Sequence, residues 1–341
     1  MLQGPSEGSS NLPDLRSYGY DAIRTLGRGK YGHVILANVI GRVDHQVAIK
    51  ILKRGPALDS YKVYVAREII HHACLSHPFV IQLYEVFLSE EYLCLVMELA
   101  ASGDLFQLLQ SRPGGRVSED ECRYFFHQLA IGLEYIHGSG VANRDLKLEN
   151  LLLTKTEESG SLVLKICDFG YSKHIFNSAP TSSVGTAGYS APEIIIGGIA
   201  YDAKASDIWS VGVILYILVS GSYPFDVYSP TLAQDVVNGK CAPFDESLQI
   251  SDSLKDLIRR MLQPSPNKRI TLSEIFQHPW VLQGLTGDIA GTNEQFWAKN
   301  RPLGQDVQEK LATMLDFASR TRKEGDDAIE NDLYCTFKSL E

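Results

Sequence analysis

The 341-residue chain has six cysteines but no CxxC pair: Cys74, Cys94, Cys122, Cys167, Cys241 and Cys335 are scattered and form no zinc-like cluster. A disulfide scaffold and a structural zinc site are therefore not expected. Reduced thiols, as in a cytoplasmic and/or nuclear protein, are. A basic surplus is also lacking. There are 32 Lys and Arg against 41 Asp and Glu, a formal net charge of −9, so no nucleic-acid partner is expected, because such binders need a cationic footprint. Long apolar runs are missing too. The longest, Ile208 to Val219, is broken by Ser210 and Gly212; it reads as a buried core helix, and no membrane partner is expected. The opening MLQGPSEGSSNLPDL has no basic stretch followed by an apolar one, so no secretion signal is expected. Leu2 fails the myristoylation rule, and Cys335 lies too far from the end for prenylation. No internal repeat and no DxDxDG calcium loop occurs.

What is present divides the chain by pattern. Residues 1–17, rich in Gly, Ser and Pro, read as a flexible tail. From residue 18 to about 97 the text is strand-like (AIRTLGRGKYGHVILANVI, HQVAIKIL, VIQLYEVFL, YLCLVMEL), interrupted by one helical stretch from Tyr61 to His72. After a hinge at 98–103, segments such as EDECRYFFHQLAIGLEYIH and SDIWSVGVILYILVSG carry apolar residues at helical spacing through residue 282. Ser118 and Glu121 give the first of these a capping-box signature. The fold class expected is α+β and bilobal: a small antiparallel sheet with one main helix, then a larger helical lobe. In the tail, 283–341, Val307, Leu311, Met314, Leu315 and Ala318 fall on one face of a helix over about 305–320, followed by the acidic EGDDAIEND. That helix reads either as docked on the domain or as a regulatory element that props or occludes the small lobe.

The chemistry begins at Leu26, followed by Gly27-Arg-Gly29-Lys-Tyr-Gly32-His-Val34. Glycines let backbone amides approach phosphates closely. The same GxGxxG occurs in dinucleotide-binding folds, but there it opens a helix; here it lies between strand-like segments and is followed by Val47-Ala48-Ile49-Lys50. Lys50 suits the α- and β-phosphates, with Glu68 on the following helix as its counter-ion. In Asn143-Arg-Asp145-Leu-Lys147-Leu-Glu149-Asn150, Asp145 fits the acceptor of a substrate hydroxyl's proton and Lys147 a partner of the γ-phosphate. Asn150 and Asp168, the latter opening Asp168-Phe-Gly170, supply hard oxygen ligands suited to Mg²⁺. Ala191-Pro-Glu193 follows.

In this order the motifs resemble those of the eukaryotic protein kinases, over residues 18–282 and ending in His278-Pro-Trp280. The DLKLEN wording is similar to serine/threonine kinases. RDLKLENLLL, LKICDFGYSK and SSVGTAGYSAPEII resemble the plant and green-algal sucrose-nonfermenting-related kinases of the second subfamily, which act in stress and nutrient signalling. The resemblance implies ATP and Mg²⁺ as cofactors and protein Ser/Thr as substrate. It places adenine between Val34 and Ala48 on one side and Leu152 or Leu153 on the other, with Met97 as gatekeeper and hinge contacts from Glu98 to Ala100. Arg269 would pair with Glu193, and Arg144 would clamp a phosphate on the loop that carries Ser178, Ser182, Ser183 and Thr186. Ser182 is expected to be the main activating site and Ser178 a second, so an upstream kinase and a phosphatase are expected partners. Thr186 is expected to bond the catalytic loop. Asp104 and Glu149 would meet a basic residue before the phosphoacceptor. Two departures stand out: Asn143 occupies the usual histidine position, and Thr186-Ala187 replaces Thr-Pro. Altered rate or activation is expected from the first. The alternative is a pseudokinase that binds nucleotide and serves as a scaffold.

Overall fold

The computed structural model describes residues 12–28, 32–156, 159–169, 173–174, 187–198, 200–284, 292–300, 302–321, 326 and 333–338. These divide into two units. The smaller takes the described residues up to Ala66, Gln82–Leu99 and those from Leu303 on; the larger takes Arg67–Ile81 and Ala100–Pro302. A small antiparallel sheet lobe and a larger helical lobe are present, as the pattern of periodicities predicted.

In the small lobe, β1 (Tyr20–Arg28), β2 (His33–Val39), β3 (Gln46–Lys53), β4 (Leu83–Leu88) and β5 (Tyr92–Glu98) run antiparallel in the order β1-β2-β3-β5-β4. Helices α1 (Pro56–Asp59) and α2 (Lys62–Ala73) connect β3 to β4. Because successive residues of a strand face opposite ways, β3 sends Val47, Ile49 and Ile51 into a core with Ile35, Cys94 and Phe87. Ala48 and Lys50 face the other side. Ala48 and Leu52 on that side are also buried, so HQVAIKIL reads as one apolar run rather than an alternation. Gly32 is required by close approach: a Cβ there would overlap the Ile51 carbonyl oxygen.

The large lobe is built on α4 (Glu119–Gly138) and α6 (Ala203–Ser220), with α3 (Leu105–Gln110) and α5 (Pro192–Ile196) beside them. Short strands β6 (Val141–Ala142) and β9 (Lys173–His174) pair, and β7 (Leu151–Lys155) with β8 (Leu162–Ile166) forms a hairpin. Helices α7 (Leu232–Val237), α8 (Asp252–Met261), α9 (Leu272–Phe276), α10 (Pro279–Leu282) and α11 (Glu294–Trp297) complete it. By length and composition α6 could cross a membrane, but every residue from Ser206 to Val219 is buried, which is the mark of a central core helix. The capping box expected on α4 is half formed. Ser118 accepts the Glu121 N–H at 3.2 Å, while the Glu121 carboxylate takes Arg112 at 2.6 Å instead of reaching back. At the other end of α4, Gly138 leaves room for the Trp297 indole: a Cβ would come within 2.5 Å of its ring. The indole N–H donates to the Tyr135 carbonyl at 3.1 Å.

The tail joins the small lobe. Helix α12 (Gln305–Ser319) buries Leu311, Met314, Leu315 and Ala318. Its Ala318 carbonyl accepts from the Gly55 N–H at 2.8 Å, and Asp316 pairs with Lys62 at 2.8 Å. A sixth strand, β10 (Cys335–Thr336), then closes the outer edge of β4, with Cys335 opposite Val86 and Thr336 opposite Glu85. Here Tyr18, Tyr20 and Tyr334 stack around Phe87, and the Tyr20 hydroxyl donates to the buried Glu85 carboxylate. Burial raises the Tyr20 and Tyr334 phenols, so both remain neutral donors. An uncovered sheet edge is a liability, and β10 removes it. Truncation after residue 332 is expected to cost about 3 kcal/mol, from lost burial of Leu333 and Cys335 and of the partly buried Tyr334. Truncation after residue 338, which keeps β10, is the comparison. Equal melting temperatures for the two truncated proteins would show that β10 is not a clasp.

Candidate active site

The loop after β6 is organised by one buried carboxylate. Asp207, on α6 and 1% exposed, accepts the backbone N–H groups of Asn143 at 3.0 Å and Arg144 at 2.8 Å, and bonds His137 Nε2 at 2.8 Å. These bonds hold Arg144 at φ 69°, a left-handed conformation that costs a non-glycine residue on the order of 1–3 kcal/mol and persists only where its surroundings enforce it. Asp168 is likewise at φ 60°. Asn143 spans the two strained points. Fully buried, it donates through Nδ2 to the Asp168 carbonyl at 3.1 Å and accepts the Asp145 N–H through Oδ1 at 3.1 Å. The asparagine in the usual histidine position therefore makes a bridge between the two loops.

Asp145 is 5% exposed. Its Oδ2 accepts from Lys147 Nζ at 2.8 Å and Asn150 Nδ2 at 3.1 Å, and Asn150 Nδ2 also donates to the Asp145 carbonyl at 2.9 Å. The hairpin pairs Leu151 with Ile166, and Cys167 then donates its N–H to the Asn150 carbonyl at 3.0 Å. Asn150 and Asp168 thus stand on neighbouring, hydrogen-bonded stretches of backbone. With Nδ2 committed to Asp145, Asn150 offers a cation its Oδ1, and Asp168 a carboxylate. That donor set of hard oxygens fits a divalent cation such as Mg²⁺. The Phe169 ring, fully buried, lies 4.9 Å from the His72 ring, whose Nε2 is 2.6 Å from the Ile81 carbonyl.

Below this loop Arg269 grips Glu193 with two bonds, 2.7 and 2.9 Å, in a nearly dry setting. Arg144 Nε and Nη2 both donate to the Tyr201 hydroxyl, at 3.1 and 2.6 Å. Asp104 caps α3, with its two oxygens taking the Gln107 backbone and side-chain amides at 2.8 Å each, whereas Glu149 is exposed.

The remaining candidates belong to the small lobe and its margin. Cross-strand register places Gly27 opposite Val34, Val34 opposite Lys50 and Lys50 opposite Leu95; next to this row Leu36, Ala48 and Met97 align. Opposed residues share a face, so Val34, Ala48, Lys50 and Met97 are brought together on one side of the sheet. Leu26 is partly exposed on β1, and Glu68 is buried on α2. Glu98 exchanges bonds with Gln82, N–H to carbonyl at 2.9 Å and carboxylate from N–H at 3.1 Å, while Ala100 is half-buried. Leu153 belongs to the large-lobe core, and Leu152 is half-buried on the opposite face of β7. Gly29, Gly170, Ser178, Ser182, Ser183 and Thr186 lie outside the described residues.

His137 and Tyr201 went unrecognised in the sequence. Their partners lie 70 and 57 residues away, and no local spacing signals such a pairing.

Residues 20–281 match the protein kinase domain family. Among similar proteins, serine/threonine-protein kinase SRK2B of Arabidopsis thaliana is 42% identical over 79% of this chain and 73% of its own length. Serine/threonine-protein kinase SAPK4 of Oryza sativa subsp. japonica is 41% identical, covering 82% and 76%. Serine/threonine-protein kinase SRK2E of Arabidopsis thaliana is 38% identical, covering 91% and 85%.

Proposed function

The chain belongs to the eukaryotic serine/threonine protein kinase family, closely related to the plant sucrose-nonfermenting-related kinases of the second subfamily, and we propose that it uses ATP with Mg²⁺ and is switched on by phosphorylation of its activation loop. The observation that carries this reading is the Asp145 carboxylate, held between Lys147 and Asn150 on a loop anchored by Asp207. Bound ATP·Mg²⁺ supplies the phosphoryl group and the countercharge for its oxygens. Asp145 orients the incoming Ser or Thr hydroxyl and takes its proton. Lys147 neutralises charge at the transferring group, and Asn150 and Asp168 hold the cation. On the sheet face, Lys50 grips the nucleotide phosphates. Val34, Ala48 and Met97 line the adenine, and the backbone from Glu98 onward bonds its edge. Protein substrates with a basic residue before the acceptor suit the exposed Glu149 better than Asp104, whose oxygens are engaged by Gln107. Stress or nutrient signalling in the cytoplasm and/or nucleus is the physiological setting we propose.

Transfer of labelled phosphate from ATP to a basic serine peptide tests the reading. Transfer is expected with Mg²⁺ and none with excess EDTA; absence of transfer from both the phosphatase-treated and the upstream-kinase-treated protein would favour the scaffold reading. In the same assay Ser182→Ala should abolish the gain from upstream-kinase treatment. A full gain in that variant would move the activating site elsewhere, to Ser178 first.

A further inference from the structure

Arg144 is held from two sides by one element. Asp207, inside α6, fixes its backbone N–H at 2.8 Å. Tyr201 stands just before Asp202, the residue whose side chain caps α6, and fixes the side chain. Nε and Nη2 donate to the same hydroxyl oxygen at 3.1 and 2.6 Å, and the guanidinium carbon lies 5.7 Å from the ring centroid. Both residues are buried, each 6% exposed. The guanidinium is a planar fork, and Nε with Nη2 forms one of the edges by which it takes an oxyanion through two parallel bonds. Here that edge is taken by a neutral oxygen: burial raises the Tyr201 phenol and keeps it protonated. Arg144 is also the residue at φ 69° immediately before Asp145. Whatever holds its side chain therefore bears on where the Asp145 carboxylate points.

We propose that Tyr201 is a positioning residue for the phosphotransfer: its hydroxyl holds Arg144, and through it the Asp145 loop, in the protein that carries no activation-loop phosphate. The comparison with the phosphorylated form rests on the reading of Arg144 as a phosphate clamp; the positioning of the loop rests on the geometry alone. A phosphate is a stronger acceptor for the same edge, so the hydroxyl matters most where no phosphate is present. The arrangement would give the unphosphorylated kinase a basal rate that depends on the Tyr201 hydroxyl.

Tyr201→Phe keeps the ring and removes the acceptor. The full chain, wild type and variant, is assayed after phosphatase treatment and after treatment with an upstream kinase, with kcat, KM for ATP and peptide, and melting temperature recorded. The dephosphorylated variant is expected to show kcat about tenfold below the dephosphorylated wild type, with both KM values unchanged and the protein folded at the assay temperature, on the scale of a lost hydrogen bond to a charged group. The phosphorylated variant is expected to stay within about twofold of wild type, since phosphate supplies the acceptor. An equal loss in both forms, where the wild type responds to phosphatase, would assign Tyr201 a packing role and overturn the proposal; so would no loss in either form. If the wild type is indifferent to phosphatase, the clamp reading of Arg144 fails by itself. The kcat loss with intact KM, in a protein folded at the assay temperature, then decides for Tyr201, and its absence decides against.

Discussion

Asp145→Ala is expected to lower phosphate transfer by at least about 10²-fold, the scale of a lost positioned base, while the protein stays folded. The argument is local. The Asp145 carboxylate accepts Lys147 at 2.8 Å and Asn150 at 3.1 Å. Removing it releases both groups and takes away the acceptor for the substrate's proton. Stability should change little, because the Lys147 side chain is 22% exposed and its ammonium can turn to water. Asp145→Asn separates the two contributions. It retains an oxygen for Lys147 and Asn150 but cannot accept a proton at neutral pH, so a rate as low as that of the alanine variant would place the loss in the chemistry rather than in loop geometry. Initial rates with saturating ATP and a serine peptide, together with thermal melting, check both. A variant that keeps more than a tenth of wild-type kcat would remove Asp145 from the role given to it.

Arg269→Ala is expected to be the most destabilising single change. Its guanidinium bonds both oxygens of Glu193, the Ala205 carbonyl at 2.6 Å and the Gln263 carbonyl at 3.1 Å, and stacks 5.2 Å from the Trp209 ring centroid. Truncation leaves Glu193 buried without its cation, with the Ser206 hydroxyl at 2.9 Å as a remaining donor. Breaking one side of such a pair costs about 3–5 kcal/mol, which should lower the melting temperature by on the order of 10 °C. Adding Glu193→Gln removes the stranded charge and should restore a substantial part. Melting of the single and double variants by circular dichroism tests this. A single variant that melts like wild type would mean that the pair is dispensable for folding.

The sheet face of the small lobe could be read in advance because its information is local. The glycine loop, the apolar run around Ala48 and Lys50, and the strand lengths need only a pleat and a register to bring Val34, Lys50 and Met97 onto one face. The signal that misled was also a local one. Ser118 and Glu121 have the spacing of a capping box, yet Arg112, nine residues upstream of Glu121, offers that carboxylate a charge-assisted bond at 2.6 Å that a backbone amide cannot match. Asp104, expected to meet a basic residue of the substrate, has a second role the sequence reading did not give it, as the cap of α3. On α12 the apolar stripe runs as expected, buried at Leu311, Met314, Leu315 and Ala318 and half-buried at Val307 in the first turn.

Residue types and spacing settle the reaction class: a lysine in an apolar strand, RDLKLEN, DFG and APE in that order leave few chemistries other than phosphoryl transfer to a hydroxyl. Helix and strand periods likewise settle that a sheet lobe precedes a helical one. Packing alone settles which distant groups share a charge or a proton. It joins Asp207 to His137, Asn143 and Arg144, seats Tyr201 on Arg144, and lays Cys335 and Thr336 along the edge of β4. The physical reason is one of range. Backbone dihedrals and side-chain periodicity act over a few residues, whereas a buried polar group takes whichever partner the assembled core delivers within hydrogen-bonding distance, however far away it stands in the chain.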